Sequence, residues 1–329
     1  MLKYASFTLK VNIWPERRKM AKKSSPQIWL EYAAARTVLG FLRILPRKTA
    51  IWLGISVGRL AYHLLGKLRG VGLRNLELAF PERSETERTQ ILKAAFRNLG
   101  RVMAVVSGFG DLTAENMTDL IEYKPDPEFA TAYEKTKTDG RGRIILGGHL
   151  GNWELQAFSY PVFFEPLSFL ARRMDNPRIE EMILSIRTRL GNKQIDKTNS
   201  ASLILRTLRG GGTIGVLADV NSHPKEGVFV SFFGIPACTA SGIAMLALRT
   251  NAVIVPMFAM WDEARGKYFI VHDKIIEPVN SGDRKQDIEE TTALCVAATE
   301  RVIRAYPEQW IWIHRRWKTR PPGEKDLYE

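Results

Sequence analysis

Cysteine is nearly absent from this 329-residue chain: Cys238 and Cys295 are the only two. Two thiols cannot build a disulfide framework or a cysteine-rich zinc site. A reduced, cytosol-facing protein is the natural reading of so few. Histidine is also scarce, and His223, His272 and His314 are scattered without the spacing of metal ligands. No internal repeat, zinc finger or RNA-binding signature is present. The chain is poor in acids relative to bases, with a formal net charge of +13. That excess predicts attraction to an acidic partner, which could be nucleic acid, anionic lipid or an acidic protein; ordinary solubility is the plainer alternative. For nucleic acid, charge is the sole argument.

Long uninterrupted apolar runs are missing as well. Residues 1–23 lack a continuous hydrophobic stretch and a small-x-small cleavage site, so they do not read as a signal peptide, and Met20 is a second candidate initiator. Residues 28–45 approach the length of a membrane span but are broken by Glu31, Arg36 and Arg43. Residues 51–65 carry Arg59 and His63. A span needs about 20 predominantly apolar residues. The two segments therefore predict helices that lie on or dip into a membrane, flanked by Arg17, Arg18, Lys19, Lys22 and Lys23, or else a helical hairpin buried on the rest of the protein.

Apolar residues make up 45% of the chain, which is enough for a substantial core. Ser84-Glu-Thr-Glu87 fits a capping box, and Ile91, Leu92, Ala95, Phe96, Leu99, Val102, Met103 and Val106 follow at helical spacing. Asp126-Pro127 opens another helix. Strand-length apolar runs then alternate with helical stretches: strands over 143–148, 167–171, 213–218, 252–260 and 267–272, and helices over 153–160, 177–190, 200–209 and 239–250. Asn152, Asn176 and Ser200 are candidate caps, and 283–306 reads as a late helix. This alternation predicts an α/β fold, with a central, largely parallel sheet flanked by helices. Residues 1–80 form a basic, apolar helical appendage that associates with membrane, and 81–329 form the α/β domain.

Two short motifs are set aside. Gly54-Ile-Ser56-Val-Gly58 matches a nucleophile elbow but lies inside a helical stretch, so Ser56 is a small residue at a packing contact. Gly210-Gly-Gly212-Thr-Ile-Gly215 matches a dinucleotide fingerprint but follows a helix and opens a strand, the reverse of what that motif requires.

A third motif has the right context. Gly147-Gly-His149-Leu-Gly-Asn-Trp-Glu154 follows a strand directly, at the place where ligands bind open α/β sheets. His149 and Glu154 would sit roughly 140° apart on a continuous helix, so they meet only if the chain turns between them. The glycines and an Asn152 cap supply such a turn. Glu154 then lies in the first helical turn, where the helix dipole favours its ionised form. A carboxylate beside an imidazole can fix its tautomer and leave one nitrogen free as a general base. The same residues also make an ordinary helix start.

GGHLGNWE resembles the H-x4-(D/E) block of the lysophospholipid acyltransferase superfamily, and within it the bacterial lipid A biosynthesis acyltransferases of lauroyl and myristoyl type. Further blocks agree in order: Arg172-Arg-Met-Asp-Asn-Pro177, Arg187-Thr-Arg189-Leu-Gly191, Val216-Leu-Ala-Asp219, Phe232-Phe-Gly-Ile-Pro-Ala-Cys-Thr239 and His314-Arg-Arg-Trp-Lys-Thr-Arg-Pro321. The likeness covers roughly residues 28–322, and Val220 departs from the family's usual glutamine.

The resemblance implies transfer of a fatty acyl group from a thioester, on acyl carrier protein or coenzyme A, to a hydroxyl of a membrane lipid. A lipid A precursor is the first acceptor to consider; a lysophospholipid, another polar lipid, or a non-catalytic lipid-binding role are the alternatives. It implies His149 as general base and Glu154 as the group that orients it. Arg172, Arg187 and Arg189 are candidate phosphate ligands, with Asn176, Asp219 and Lys318 as further substrate-binding candidates. Arg316 and Lys318 hold an acidic headgroup or keep the C-terminus soluble, and Phe232 and Phe233 are core residues. No metal and no cofactor are required, and no nucleic acid partner is expected. The implied location is the cytoplasmic face of the inner membrane, with attachment peripheral or shallowly inserted to an anionic surface.

Overall fold

The computed structural model describes residues 24–170, 174–195 and 200–329. The basic residues Arg17, Arg18, Lys19, Lys22 and Lys23, and the candidate ligand Arg172, lie outside the described residues.

The chain opens with three helices, α1 (Ser25–Ile44), α2 (Arg47–Leu64) and α3 (Gly66–Ala79). Ser24 caps α1, its hydroxyl accepting from the Gln27 N–H, and Pro46 separates α1 from α2. α4 (Glu85–Ser107) begins with the predicted capping box: Ser84 and Glu87 satisfy each other's backbone N–H groups. α2 crosses α4 with backbones almost touching. A Cβ on Gly100 would lie 1.9 Å from the Gly54 carbonyl oxygen, and one on Gly58 would lie 2.2 Å from that of Phe96. The glycines of the discarded elbow motif therefore serve helix packing, while Ser56 donates to the Trp52 carbonyl within α2. α3 was not foreseen; its sequence, GKLRGVGLRNLELA, carries glycines that disfavour a helix. Packing holds it, since Leu76 and Ala79 are buried and Gly72 admits the Leu92 side chain.

The body alternates strand and helix as anticipated. In chain order it comprises β1 (Ile121–Glu122), α5 (Pro127–Thr138), β2 (Arg143–Gly147), α6 (Trp153–Phe163), β3 (Ser168–Leu170), α7 (Pro177–Thr188), β4 (Lys193–Ile195), α8 (Ser200–Arg209) and β5 (Thr213–Leu217). It continues with β6 (Gly227–Phe232), β7 (Ile235–Ala240), α9 (Gly242–Thr250), β8 (Val253–Asp262), β9 (Lys267–His272) and α10 (Arg284–Ala305). Seven strands form one sheet in the order β1-β9-β8-β2-β5-β3-β4. Every pair in it is parallel except β8 with β9. Consecutive residues of β2 and β8 are buried, as expected of strands covered on both faces. One apolar layer includes Phe158 of α6 and Val105 of α4; the opposite layer includes Ile204 of α8, Leu246 of α9 and Ala298 of α10.

β6 and β7 pair as a separate antiparallel hairpin that the sequence did not announce. Its turn puts Phe233 at φ 54° and Gly234 at φ 77°. The strained Phe233 is held by Glu300, whose carboxylate accepts the Phe233 N–H at 2.6 Å, and by burial against Phe80, Trp312 and Trp317. Phe232 and Phe233 belong to a core shared with Tyr62, Leu76 and Trp310. That core joins the N-terminal helices to the C-terminal segment.

Because the α2–α4 crossing leaves no room for a side chain, Gly100→Val is predicted to lower unfolding stability by about 3 kcal/mol. A shifted urea midpoint checks this; an unchanged midpoint would show that the two helices can separate without loss.

Candidate active site

β2 and β5 are neighbours in the centre of the sheet, and the loops leaving their carboxyl ends carry His149 and Asp219. The β2 loop is held by backbone hydrogen bonds at His149, Gly151 and Asn152. The His149 carbonyl accepts the Ile311 N–H at 3.1 Å, the Gly151 N–H donates to the Gln309 carbonyl at 2.9 Å, and the Asn152 N–H donates to the Ala259 carbonyl at 2.8 Å. Residues 149–151 thus run antiparallel to 309–311, with Leu150 bridged to Trp310. Gly151 adopts φ +61°, and a Cβ there would lie 2.0 Å from the Ala259 oxygen. A Cβ on Gly148 would crowd the Asp219 carboxylate at 3.1 Å. Asn152 then caps α6 by accepting the Leu155 N–H.

This loop turns His149 towards β5. Its Nδ1 lies 2.9 Å from Asp219 Oδ1, and its backbone N–H donates to Oδ2 at 2.7 Å. The Trp310 indole N–H donates to the same Oδ2 at 2.8 Å. Asp219 is fully buried, whereas the His149 side chain retains 27% exposure. Burial opposes a charge on both groups. It is outweighed at Asp219, where the imidazolium charge and the hydrogen bonds from His149 and Trp310 hold the carboxyl below its ordinary range. It is likewise outweighed at His149, where Asp219's charge and hydrogen bond, with a further contribution from the Glu154 charge, raise the imidazole above 6.5. With Nδ1–H bound to Asp219, Nε2 is the nitrogen free to take a proton.

The orienting hydrogen bond expected from Glu154 is therefore made by Asp219. The physical reason is a competing partner: on the first turn of α6, where it was expected, Glu154 has both carboxylate oxygens taken by Arg187 of α7, with Nε at 2.8 Å and Nη2 at 2.5 Å. The structure divides the two tasks, with Asp219 giving His149 both hydrogen bond and charge, and Glu154 giving charge at longer range. Arg187, expected as a phosphate ligand, has its guanidinium on the Glu154 carboxylate.

Two other candidates are placed by protein partners. Asn176 is buried; its oxygen caps α7 and its Nδ2 donates to the Ile28 carbonyl and Glu31, tying α7 to α1. Arg189 donates to the Phe109 and Gly110 carbonyls at the end of α4. Both are engaged in holding helices together, which differs from the ligand roles expected for them. Lys318 is exposed near the site, and its charge is felt by His314.

Several residues of the site were not legible beforehand. Trp310 braces Asp219 from a distant segment. Arg316, expected at the surface, is buried and donates to the Cys238 carbonyl at 2.9 Å and to Thr239 Oγ1 at 2.5 Å. Burial lowers its pKa to about 10, so it remains a cation close to Asp219. The Arg-Trp-Lys block was the only signal for it. Among the described residues no group of three or more His, Cys, Asp or Glu side chains converges as metal ligands would.

The site is a strand-end histidine held by a buried aspartate, at the carboxyl ends of neighbouring parallel strands of an open, mostly parallel sheet. The sequence profile of the family described as "Bacterial lipid A biosynthesis acyltransferase" matches residues 17–319. The chain belongs to that family and is an acyltransferase. It is similar to the Lipid A biosynthesis lauroyltransferase of Escherichia coli strain K12, with 29% identity over 312 residues, covering 92% of this chain and 96% of that protein. The Lipid A biosynthesis acyltransferase of Haemophilus influenzae is 27% identical over 286 residues, covering 86% and 83%. The Lipid A biosynthesis myristoyltransferase of Escherichia coli strain K12 is 25% identical over 310 residues, covering 92% and 93%.

Activity that needs neutral His149 rises as pH passes the His149 pKa, which Asp219 holds above 6.5. Asp219→Asn removes the raising charge, so the acid limb of kcat/KM is predicted to move to lower pH while kcat falls about 10²-fold. A pH–rate profile checks this. If Glu154→Gln moved the limb and Asp219→Asn did not, the pairing would be wrong.

Proposed function

We propose that this acyltransferase moves a fatty acyl group from a thioester, carried by acyl carrier protein or coenzyme A, to a hydroxyl of a lipid A precursor. The observation that carries this reading is the buried Asp219 bound to His149 Nδ1, which leaves Nε2 free at the carboxyl end of β2. Nε2 removes the proton from the acceptor hydroxyl as its oxygen attacks the thioester carbonyl. The carbonyl π pair moves to oxygen, and the new C–O bond forms. As the carbonyl re-forms, the C–S bond breaks and the proton on Nε2 passes to the departing sulfur. The products are an ester and a thiol, and no protein nucleophile, metal or redox partner is needed. The Asp219 anion stabilises the transient imidazolium. Glu154 adds charge, and Arg187 anchors Glu154; the phosphate-bearing parts of donor or acceptor then fall to Arg172 and Lys318.

The N-terminal helices suit a lipid acceptor. Trp29, Leu30, Phe41 and Ile44 of α1, and Trp52, Val57, Leu60 and Leu64 of α2, are large apolar side chains at least half exposed. No helix among the described residues is long and apolar enough to cross a membrane. The reading is that α1 and α2 rest on the cytoplasmic leaflet of the inner membrane, where the net charge of +13 meets anionic headgroups. Two buried, unpaired cysteines accord with a reducing compartment.

His149→Ala is predicted to lower acyl transfer 10²–10⁴-fold, measured on detergent-purified full-length protein by mass spectrometry of products. A panel of lauroyl, myristoyl and palmitoleoyl thioesters, on carrier protein and on coenzyme A, is offered with a lipid A precursor and with lysophospholipids. Undiminished transfer by the variant, or acylation of lysophospholipid alone, would contradict the reading. Replacing Trp29, Leu30, Phe41, Trp52 and Leu60 together by serine is predicted to weaken sedimentation with anionic vesicles by about 10²-fold or more, with folding intact. Unchanged sedimentation would place the membrane contact elsewhere.

A further inference from the structure

We propose that His314 provides a fixed, neutral imidazole N–H, at Nδ1, as the hydrogen-bond donor to the oxygen of the reacting thioester carbonyl. The proposal rests on the reading of His149 as base and adds the group that stabilises the opposite charge. Its first support is the tautomer. The backbone N–H of Asn221 donates to His314 Nε2 at 2.9 Å. A ring nitrogen that accepts a hydrogen bond carries no proton, so the proton of the neutral ring is on Nδ1. No described residue accepts from Nδ1, and Nδ1 is not among the buried polar atoms lacking a partner. Among the described residues Nδ1 therefore has no protein acceptor, and the substrate oxygen is placed there.

Placement is the second support. Asn221 lies two residues beyond Asp219, on the loop that leaves β5. Ile311 donates its N–H to the His149 carbonyl, and the His314 N–H donates to the Ile311 carbonyl at 3.4 Å. His314 is thus tied to both loops that carry the reacting pair. Its carbonyl is gripped in turn by Asn75 Nδ2 at 2.6 Å, so the residue is fixed from several sides.

The surroundings suit a donor and exclude a second base. The Nε2 lone pair is occupied. Burial, together with the positive charges of Arg316, His149 and Lys318, opposes a proton on the ring and outweighs the pull of Asp219, which puts its pKa at about 4. His314 thus stays neutral while His149 becomes charged. When the acceptor oxygen attacks, negative charge gathers on the thioester oxygen. A preorganised N–H strengthens its hydrogen bond there without losing its proton and releases the oxygen when the C–S bond breaks.

Two isosteric variants separate this role from a structural one. In His314→Asn the side-chain amide nitrogen falls near the position of Nδ1, keeping the donor and losing the acceptor for Asn221. In His314→Gln the amide oxygen falls near Nε2, keeping the acceptor and losing the donor. Both are assayed as full-length protein with a lauroyl thioester and a lipid A precursor, alongside thermal unfolding and His149→Ala. A donor role predicts that His314→Gln loses about 10²-fold or more in kcat, with KM within threefold, and that His314→Asn stays within about tenfold of the parent. The reverse order, or equal losses in the two, overturns the proposal. If His149→Ala is inactive while His314→Gln retains full kcat, the donor assignment alone fails. If His149→Ala is itself active, the underlying reading of the site fails first.

Discussion

The hydrogen bond between Asp219 and His149 is the constraint around which this molecule is arranged. A carboxylate with no solvent exposure is costly unless every lone pair finds a donor. Here one oxygen meets the imidazole, and the other meets two N–H groups, from the His149 backbone and the Trp310 indole. The buried Arg316 lies close by, turned onto the hairpin carbonyl of Cys238 and Thr239 Oγ1, so its charge supports Asp219 without competing for its oxygens. An anion so satisfied can be rigid and dry, which is what allows it to hold one tautomer of its neighbour.

Much of the fold can be understood as what this pair requires. β2 and β5 must be adjacent and parallel so that their ends present two loops side by side. The β2 loop must bend sharply, so Gly151 takes a left-handed conformation against the Ala259 carbonyl. The C-terminal segment must return across the sheet end, because 309–311 pairs with the loop and supplies Trp310. That segment is in turn seated on the hairpin and on α3, through Trp312, Phe233 and Asn75. α1 is linked to the same region by Asn176, on the helix whose last turn carries Arg187 to Glu154. The exposed apolar face of α1 and the His149–Asp219 pair are therefore connected by one helix, α7.

What was legible in the sequence was local. Caps at Ser84, Asn152 and Asn176 announced helices because an Ncap oxygen and its N–H partner lie within three residues of each other. Continuous apolar runs announced β2, β5 and β8. The strand-end glycine loop marked His149. What stayed hidden depended on contacts between distant residues. The Asp219 partnership spans 70 positions, and nothing in the spacing favours it over the nearby Glu154. The hairpin of β6 and β7 was masked by Pro236 and by a turn that places phenylalanine where glycine is usual. Arg316 reads as a surface charge until the structure shows its guanidinium enclosed. His314 looked isolated because its neighbours come from Asn75 and Asn221.

The most direct measurement of the central claim is the tautomer and titration of His149 itself, by nitrogen-15 NMR of histidine-labelled protein in detergent, assigned with His149→Ala. The account predicts a neutral ring protonated at Nδ1, titrating above 6.5, with both properties lost in Asp219→Asn and the tautomer retained in Glu154→Gln. A ring protonated at Nε2, or a titration indifferent to Asp219, would contradict it.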